Sequence, residues 1–297
     1  MNINRTGTPF ALYLCKEFPL DCLLGVQHMK TYLTLSAIAL AAAATLSSGT
    51  VLAQAAAPAE IPSVTITPNI GITSDYRFRG LSQNNKNPAL QGGVDVAFKE
   101  GFYLGTWASK VSDWAAGTKG DNLEVDFYGG YKTEISGVTF DFGAIAYYYP
   151  GSKKGNSDNS NYLANTEEVY VGVSYGPALF KVNYVIGDNY FASTQSTKSA
   201  RGTTYYDLTL TQEVAPKLSL LAHAGYTDYK ESASAYTGDG KFSYSDYFVG
   251  LSYDMDGVII SGKYHTNNMS AGTKAYATSG TKALYKDAFV LSLTKAF

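Results

Sequence analysis

LEVDFYGGYKTEISGVTFDFGAIAYY, residues 123–148, is the stretch that decides the fold. Leu123, Val125, Phe127 and Tyr131 alternate with Glu124, Asp126, Tyr128 and Lys132. A short turn over 135–137 follows. Then Val138, Phe140, Phe142, Ala144 and Tyr148 alternate with Thr139, Asp141, Gly143 and Tyr147. Period-two alternation on both sides of a short turn reads as a β-hairpin. Its polar row carries three carboxylates and an ammonium, too much charge for a dry interior.

Working outward, the same pattern recurs along the chain. Val64, Ile66, Ile70, Ile72, Tyr76 and Phe78 alternate with polar residues that include Asp75 and Arg77, predicting one strand over 64–78. Further runs lie at 90–98, 168–175, 180–186, 206–211, 218–227, 246–253 and 258–265, with a last run at 285–297. Residues 102–111 alternate poorly and are included by spacing. The total is about twelve strands. Their connections also alternate, short at 99–101, 135–137, 176–178, 214–217 and 254–257, long at 80–88, 112–122, 150–165, 188–202, 231–243 and 267–284. Short turns on one side and long polar loops on the other are the habit of outer-membrane barrels. A soluble sandwich has no reason to sort its loops this way.

The charges settle which face is which. The polar rows hold Asp95, Glu124, Asp126, Lys132, Asp141, Glu168, Lys181, Asp207 and Lys263, with His223 and His265, while Arg77 and Arg79 fall inward at the long-loop end of the first strand. Burying so many ions in a dry core would cost several kcal/mol each. A water-filled lumen removes that cost, lipid solvates the other face, and closure leaves no strand edge in hydrocarbon. The expectation is therefore an all-β fold: a closed antiparallel transmembrane β-barrel over 63–297, with both termini periplasmic. These thirteen charged or titratable residues are the candidate lumen lining. Tyr76, Phe78, Trp107, Tyr147, Tyr148, Tyr149, Tyr190, Phe191, Tyr226, Tyr229 and Tyr264 are expected in an aromatic girdle on the long-loop side. Phe98, Phe102, Phe140, Tyr175, Phe180, Tyr253 and Phe297 belong to the girdle on the other.

The N-terminus reads as an address. Met29-Lys30, an apolar stretch over 33–46 and the small residues before Ala53 form a secretory signal peptide over 29–53, cut after Ala53. Residues 1–28 upstream read as a start codon placed too early, and 54–62 as an Ala/Pro linker. Both cysteines, Cys15 and Cys22, fall in the upstream part, so the exported chain has no thiol chemistry. With 23 basic and 25 acidic side chains, bulk charge points to no nucleic-acid partner. The C-terminal run, Phe289, Leu291, Leu293, Lys295 and Phe297, resembles the strand that outer-membrane assembly machinery recognises. The partners expected are outer-membrane lipid, that machinery and small hydrophilic solutes.

Several motifs resemble the TorF family of proteobacterial porins. They are Ser74-Asp75-Tyr76-Arg77-Phe78-Arg79-Gly80 with Pro88-Ala89-Leu90-Gln91-Gly92-Gly93, then Gly105-Thr106-Trp107-Ala108-Ser109, then Glu124-Val125-Asp126-Phe127-Tyr128-Gly129-Gly130-Tyr131, and Tyr147-Tyr148-Tyr149-Pro150-Gly151. The resemblance implies an outer-membrane barrel with porin activity and names no solute. Enzymatic chemistry is not expected: two isolated inward histidines come without a nucleophile motif. No metal ligand spacing or cofactor motif stands out, and Gly92-Gly93 is followed by neither Lys nor helix, so it is no phosphate loop. Two readings stay open for the lumen. Opposed charge rows could orient passing solutes. Alternatively the charges pair across a narrow barrel and close it, leaving a structural or adhesive protein.

Overall fold

The computed structural model describes residues 63–117, 119–120, 122–152, 163–191, 199–230, 243–270, 274 and 276–297. The upstream extension 1–28, the signal peptide 29–53 and the linker 54–62 lie outside the described residues.

In chain order, β1 (Val64–Thr73) is followed by two short strands, β2 (Arg77–Phe78) and β3 (Leu81–Ser82), then by β4 (Ala89–Phe98) and β5 (Phe102–Lys110). A one-turn helix α1 (Asp113–Ala116) precedes β6 (Leu123–Ile135) and β7 (Val138–Tyr148). Next come β8 (Thr166–Tyr175), β9 (Ala178–Val185), β10 (Thr204–Ala215) and β11 (Leu218–Asp228). β12 (Tyr244–Met255), β13 (Val258–Asn267), the short β14 (Thr278–Ser279) and β15 (Lys282–Ala283), and β16 (Ala288–Ala296) complete the chain. The twelve long strands close into one barrel, each paired antiparallel with its neighbours in sequence, and β1 closes on β16. β2–β3 and β14–β15 form separate small hairpins.

The expected alternation of connections is present. Two-residue turns joining twisted antiparallel strands favour left-handed backbone at both positions. Ser136-Gly137 and Asp256-Gly257 adopt it, with φ of 53° and 81°, then 53° and 92°. The start of β1 and the end of β16 lie at this short-turn end, where Val64 faces Phe98 and the Phe297 N–H donates to the Pro68 carbonyl. The β1–β16 seam pairs only Asn69 through Thr73 with Ala296 through Ser292. Residues 64–68 therefore have β4 on one flank and no strand on the other among the described residues.

Side-chain polarity is inverted relative to a soluble barrel. Ile66, Leu90, Leu104, Phe127, Phe142, Val171, Leu208, Leu251 and Leu291 stand exposed on the outside, and the remaining barrel strands contribute similar rows. Leaving such a side chain in water forfeits about 1.5–3 kcal/mol, so the exterior is matched to hydrocarbon rather than water. No helix among the described residues is long and apolar enough to cross a membrane. Strands of about 9–11 tilted residues do so instead.

The dry core sits at the long-loop end. There the loops build three contiguous apolar clusters: Val111, Ala115, Ala116, Tyr147, Tyr149 and Ala164; then Val185, Tyr190, Ala200 and Tyr229; then Leu81, Tyr244, Met269 and Ala277. Two sequence expectations change accordingly. β1 ends at Thr73 rather than running to 78, because the chain turns inward at Ser74, whose N–H donates to the Leu291 carbonyl, and Arg79 and Gly80 take left-handed φ of 45° and 79°. Within the expected long-loop girdle, Tyr148, Tyr226 and Tyr264 do face out. Tyr76, Phe78, Trp107, Tyr147, Tyr149, Tyr190, Phe191 and Tyr229 instead form or adjoin the interior clusters. Tyrosine's ring and hydroxyl suit any apolar–polar boundary, and the cap offers a second one besides the membrane surface.

Candidate functional site

The segment between β1 and β4, residues 74–88, folds across the barrel mouth as a plug. Its anchor is Arg79. The guanidinium makes two parallel bonds to Glu168 on β8, Nη1 to Oε1 at 2.8 Å and Nη2 to Oε2 at 2.7 Å, and a third to the Tyr190 hydroxyl at 3.0 Å. Both side chains are buried, 5% and 0% exposed. Its central carbon lies 4.3 Å from the Tyr205 ring centre and 4.8 Å from that of Phe78. Burial works against the charge of Arg79, and Glu168 more than compensates, so its pKa is held well above the ordinary guanidinium value. The Tyr244 hydroxyl donates to the Arg79 carbonyl at 2.8 Å. Gly80 lies so close to Asp246 that a Cβ would meet the aspartate Cβ at 2.7 Å.

Around this anchor the plug is stitched to the wall. The Tyr76 hydroxyl donates to Glu124 Oε1 at 2.7 Å and that of Tyr149 to Oε2 at 2.5 Å. Burial first and Glu124 second push both phenols well above their usual pKa. Phe78 meets Tyr147 and Phe191 edge to face at 5.4 and 5.1 Å. Arg77 closes an ion pair with Asp75 inside the plug at 2.8 Å. From above, Trp114 donates to the Tyr276 carbonyl and Tyr276 to that of Phe191. The cavity left here, lined by Phe78, Arg79, Trp114, Tyr190, Phe191 and Tyr276 among others, is about 30 Å³. Small-molecule sites are commonly about 300–1,000 Å³, so this gap between plug and cap is too small to be one.

Beneath the plug the inward rows form a belt of paired charges and tyrosines. Tyr128 donates to Asp95 at 2.5 Å, and Asn69 reaches the same carboxylate. Asp141 accepts from Tyr103 at 2.6 Å, lies 3.8 Å from the Lys132 ammonium, and Tyr103 in turn bonds Tyr170. Lys181 sits 5.0 Å over the Tyr170 ring. His223 is gripped from both sides, by Asp246 at 3.2 Å and Asp207 at 3.5 Å, and stacks on Phe248 at 4.8 Å. Lys263 lies over the same Phe248 ring at 4.9 Å, and the His265 ring is 5.2 Å from it. No group of three or more His, Cys, Asp or Glu among the described residues forms a metal site.

The structure brings the residues singled out by sequence into two places. Arg79, Glu124, Asp126 and Glu168 meet at the mouth, whereas Arg77 pairs with Asp75 inside the plug. Asp95, Lys132, Asp141, Lys181, Asp207, His223, Lys263 and His265 line the belt below. Arg77 and Arg79 belong to the plug and not to the strand wall, which follows from the early end of β1. The alternation puts Tyr128 and Tyr170 in the inward rows but does not mark them, or Tyr103 and Tyr205, as partners of the charges. The available signal was glycine parity. Inward Gly105, Gly130, Gly143 and Gly225 each leave the space into which Tyr128, Tyr103, Tyr170 and Tyr205 respectively lean from another strand.

A family profile described as a bacterial protein of unknown function, Gcw_chp, matches residues 55–297. The chain belongs to that family. No curated protein matches the sequence. Among solved structures, this Gcw_chp protein is similar to the NanC porin at 11% identity and TM-score 0.48, covering 78% of this chain and 99% of that one. A second similarity is to the KdgM porin, at 7% identity and TM-score 0.46, covering 78% and 98%. A third is to OccAB3 of Acinetobacter baumannii, at 10% identity and TM-score 0.38, covering 80% and 66%.

Proposed function

We propose that this Gcw_chp protein is a non-enzymatic bacterial outer-membrane channel for small hydrophilic solutes or ions, closed at its long-loop mouth by residues 74–88. The observation that carries the reading is the enclosed belt of charge: Asp95, Lys132, Asp141, Lys181, Asp207 and Lys263 line the inside of a barrel whose exterior is apolar. An interior of that kind is costly unless water fills it, and a water-filled barrel is a conduit once its ends open. The resemblance of the plug and strand motifs to the TorF porins supports the same reading. So does the start of the family match at residue 55, next to the expected mature end at Gln54. On this reading residues 29–53 direct export and 1–28 are not part of the product. The short turns and both chain ends face the periplasm, and the last strand, ending in Phe297, is read by the assembly machinery.

One observation favours the second reading, a structural or adhesive barrel: apolar clusters at the mouth surround a buried ion pair between the plug and the wall. Planar-bilayer recording separates the two. The refolded protein, its folded state verified by heat-modifiable gel migration, is expected to give discrete conductance steps, larger or more frequent for Arg79→Ala. Folded wild type and Arg79→Ala that both stay silent would refute the channel.

A further inference from the structure

The mouth carries more negative charge than the plug neutralises. Glu124 and Asp126 on β6 and Glu168 on β8 all face inward there, and Asp126 lies within electrostatic reach of both glutamates. Arg79 is committed to Glu168, and the two Glu124 oxygens each accept one phenol. At Asp126 one carboxylate oxygen is left over. The residue is 6% exposed, and its Oδ1 has no hydrogen-bond partner among the described residues. Buried carboxylate oxygens are nearly always bonded, so an orphan calls for a donor or a cation from elsewhere.

Its surroundings specify what kind. The strand register sets Trp107 of β5 and Tyr147 of β7 directly beside Asp126, on the same inward face. The Tyr76 ring packs edge-on against Trp107 at 5.4 Å. A carboxylate with aromatic side chains on both neighbouring strands favours organic cations, through charge and cation–π attraction together. The plug supplies an internal example a few residues away: Arg79 rests in such a frame, with Glu168 as its carboxylate and Phe78 and Tyr205 as its walls. β6 enters the barrel from the mouth, so Asp126, two residues past Glu124, is the carboxylate just beneath the plug.

We propose that Asp126, with Glu124 and the flanking rings of Trp107 and Tyr147, is a binding site for organic cations bearing a guanidinium or primary ammonium head. Binding there gives the unpartnered Asp126 oxygen a donor, and the charge of Glu124 two residues away adds to the attraction for a dication. The site deepens the channel reading by naming its solute class, and it binds whether or not current flows.

The test uses full-length refolded protein in detergent micelles. The chain has 2 Trp, so Trp114→Phe leaves Trp107 as the sole indole reporter. Argininamide, methylguanidinium and methylammonium are titrated, with methylurea as the uncharged control, following Trp107 fluorescence and, on unmodified protein, calorimetric heat. Saturable responses to the cations and none to methylurea are expected, with argininamide the tightest. Asp126→Asn should weaken binding at least tenfold while the thermal midpoint stays level or rises. Absence of saturable binding up to tens of millimolar on the unmodified protein would overturn the site and leave Asp126 a wall residue with no ligand. Undiminished binding in Asp126→Asn would overturn it too. Bilayer recording on the same preparation separates the readings. Conductance without binding removes the site and keeps the channel, whereas binding without conductance does the reverse.

Discussion

Consider the plug with Arg79 replaced by alanine. The substitution leaves Glu168, 0% exposed, as an uncompensated buried carboxylate, and empties the space between the Phe78 and Tyr205 rings. Removing one partner of a buried ion pair typically costs about 3–5 kcal/mol. The plugged state alone bears that cost, because opening the mouth rehydrates Glu168. At about 1.4 kcal/mol per tenfold, the open-to-closed ratio rises by roughly 100- to 4,000-fold. The barrel itself stays folded, since its ladder does not involve Arg79. The assay is single-channel recording beside urea unfolding in vesicles. Open probability climbs steeply while the unfolding midpoint of the barrel moves little. Replacing both partners by apolar groups, Arg79→Met with Glu168→Leu, removes the uncompensated charge and returns the mouth to its closed state. If the single variant conducts no more than wild type, or the double variant is as open as the single, the ion pair is not what keeps the mouth shut.

Other perturbations test neighbouring parts of the argument. Gly80→Ala brings a Cβ against Asp246 at 2.7 Å from a backbone with φ of 79°, so it should unseat the plug, seen as higher open probability or faster protease cleavage within 74–88. Val171→Lys, in the middle of β8 and 46% exposed on the outside, should cost about 2–4 kcal/mol of folding stability in vesicles, whereas a soluble barrel would tolerate it. Alkaline pH acts through the two phenols bonded to Glu124, Tyr76 of the plug and Tyr149 of the cap. Tyr76 and Tyr149 are raised when docked, so their contribution is complete below the ordinary value of 10.0 and is lost as pH climbs above it. Closure should therefore hold from neutral pH to about 9.5 on that count and loosen beyond 10, measured as open probability, with Arg79 still charged throughout. Phe297→Ser should lower the yield of assembled barrel in cells more than it lowers stability after refolding in vitro.

The barrel was legible because period-two alternation is local. Each run, from Val64 to Leu293, states its own faces, and the sorted connections state the topology. Even 102–111, which alternates poorly, is the strand β5, with Tyr103, Trp107 and Ser109 inward. The plug was not legible because nothing local distinguishes Tyr76 and Phe78 from two more outward strand positions. Only the long-range bonds of Tyr76 to Glu124 and Arg79 to Glu168 draw them in, across 48 and 89 residues. Charge signs did foreshadow one pairing, since two arginines facing an acidic wall left closure as one of two outcomes. Which carboxylate would be taken and which left over depends on the cap, and the cap is made of residues far apart in the chain.

The short seam between β1 and β16 has a mechanical meaning. With residues 64–68 unflanked and the Phe297 N–H as the last tie, the cylinder is fastened along one line by fewer rungs than along any other. Force applied at the C-terminus should therefore peel β16 first, then β13, unzipping the wall hairpin by hairpin from that line. The plug is sewn in between β1 and β4, so it would come away only with the far side of the tear, after most of the wall had gone.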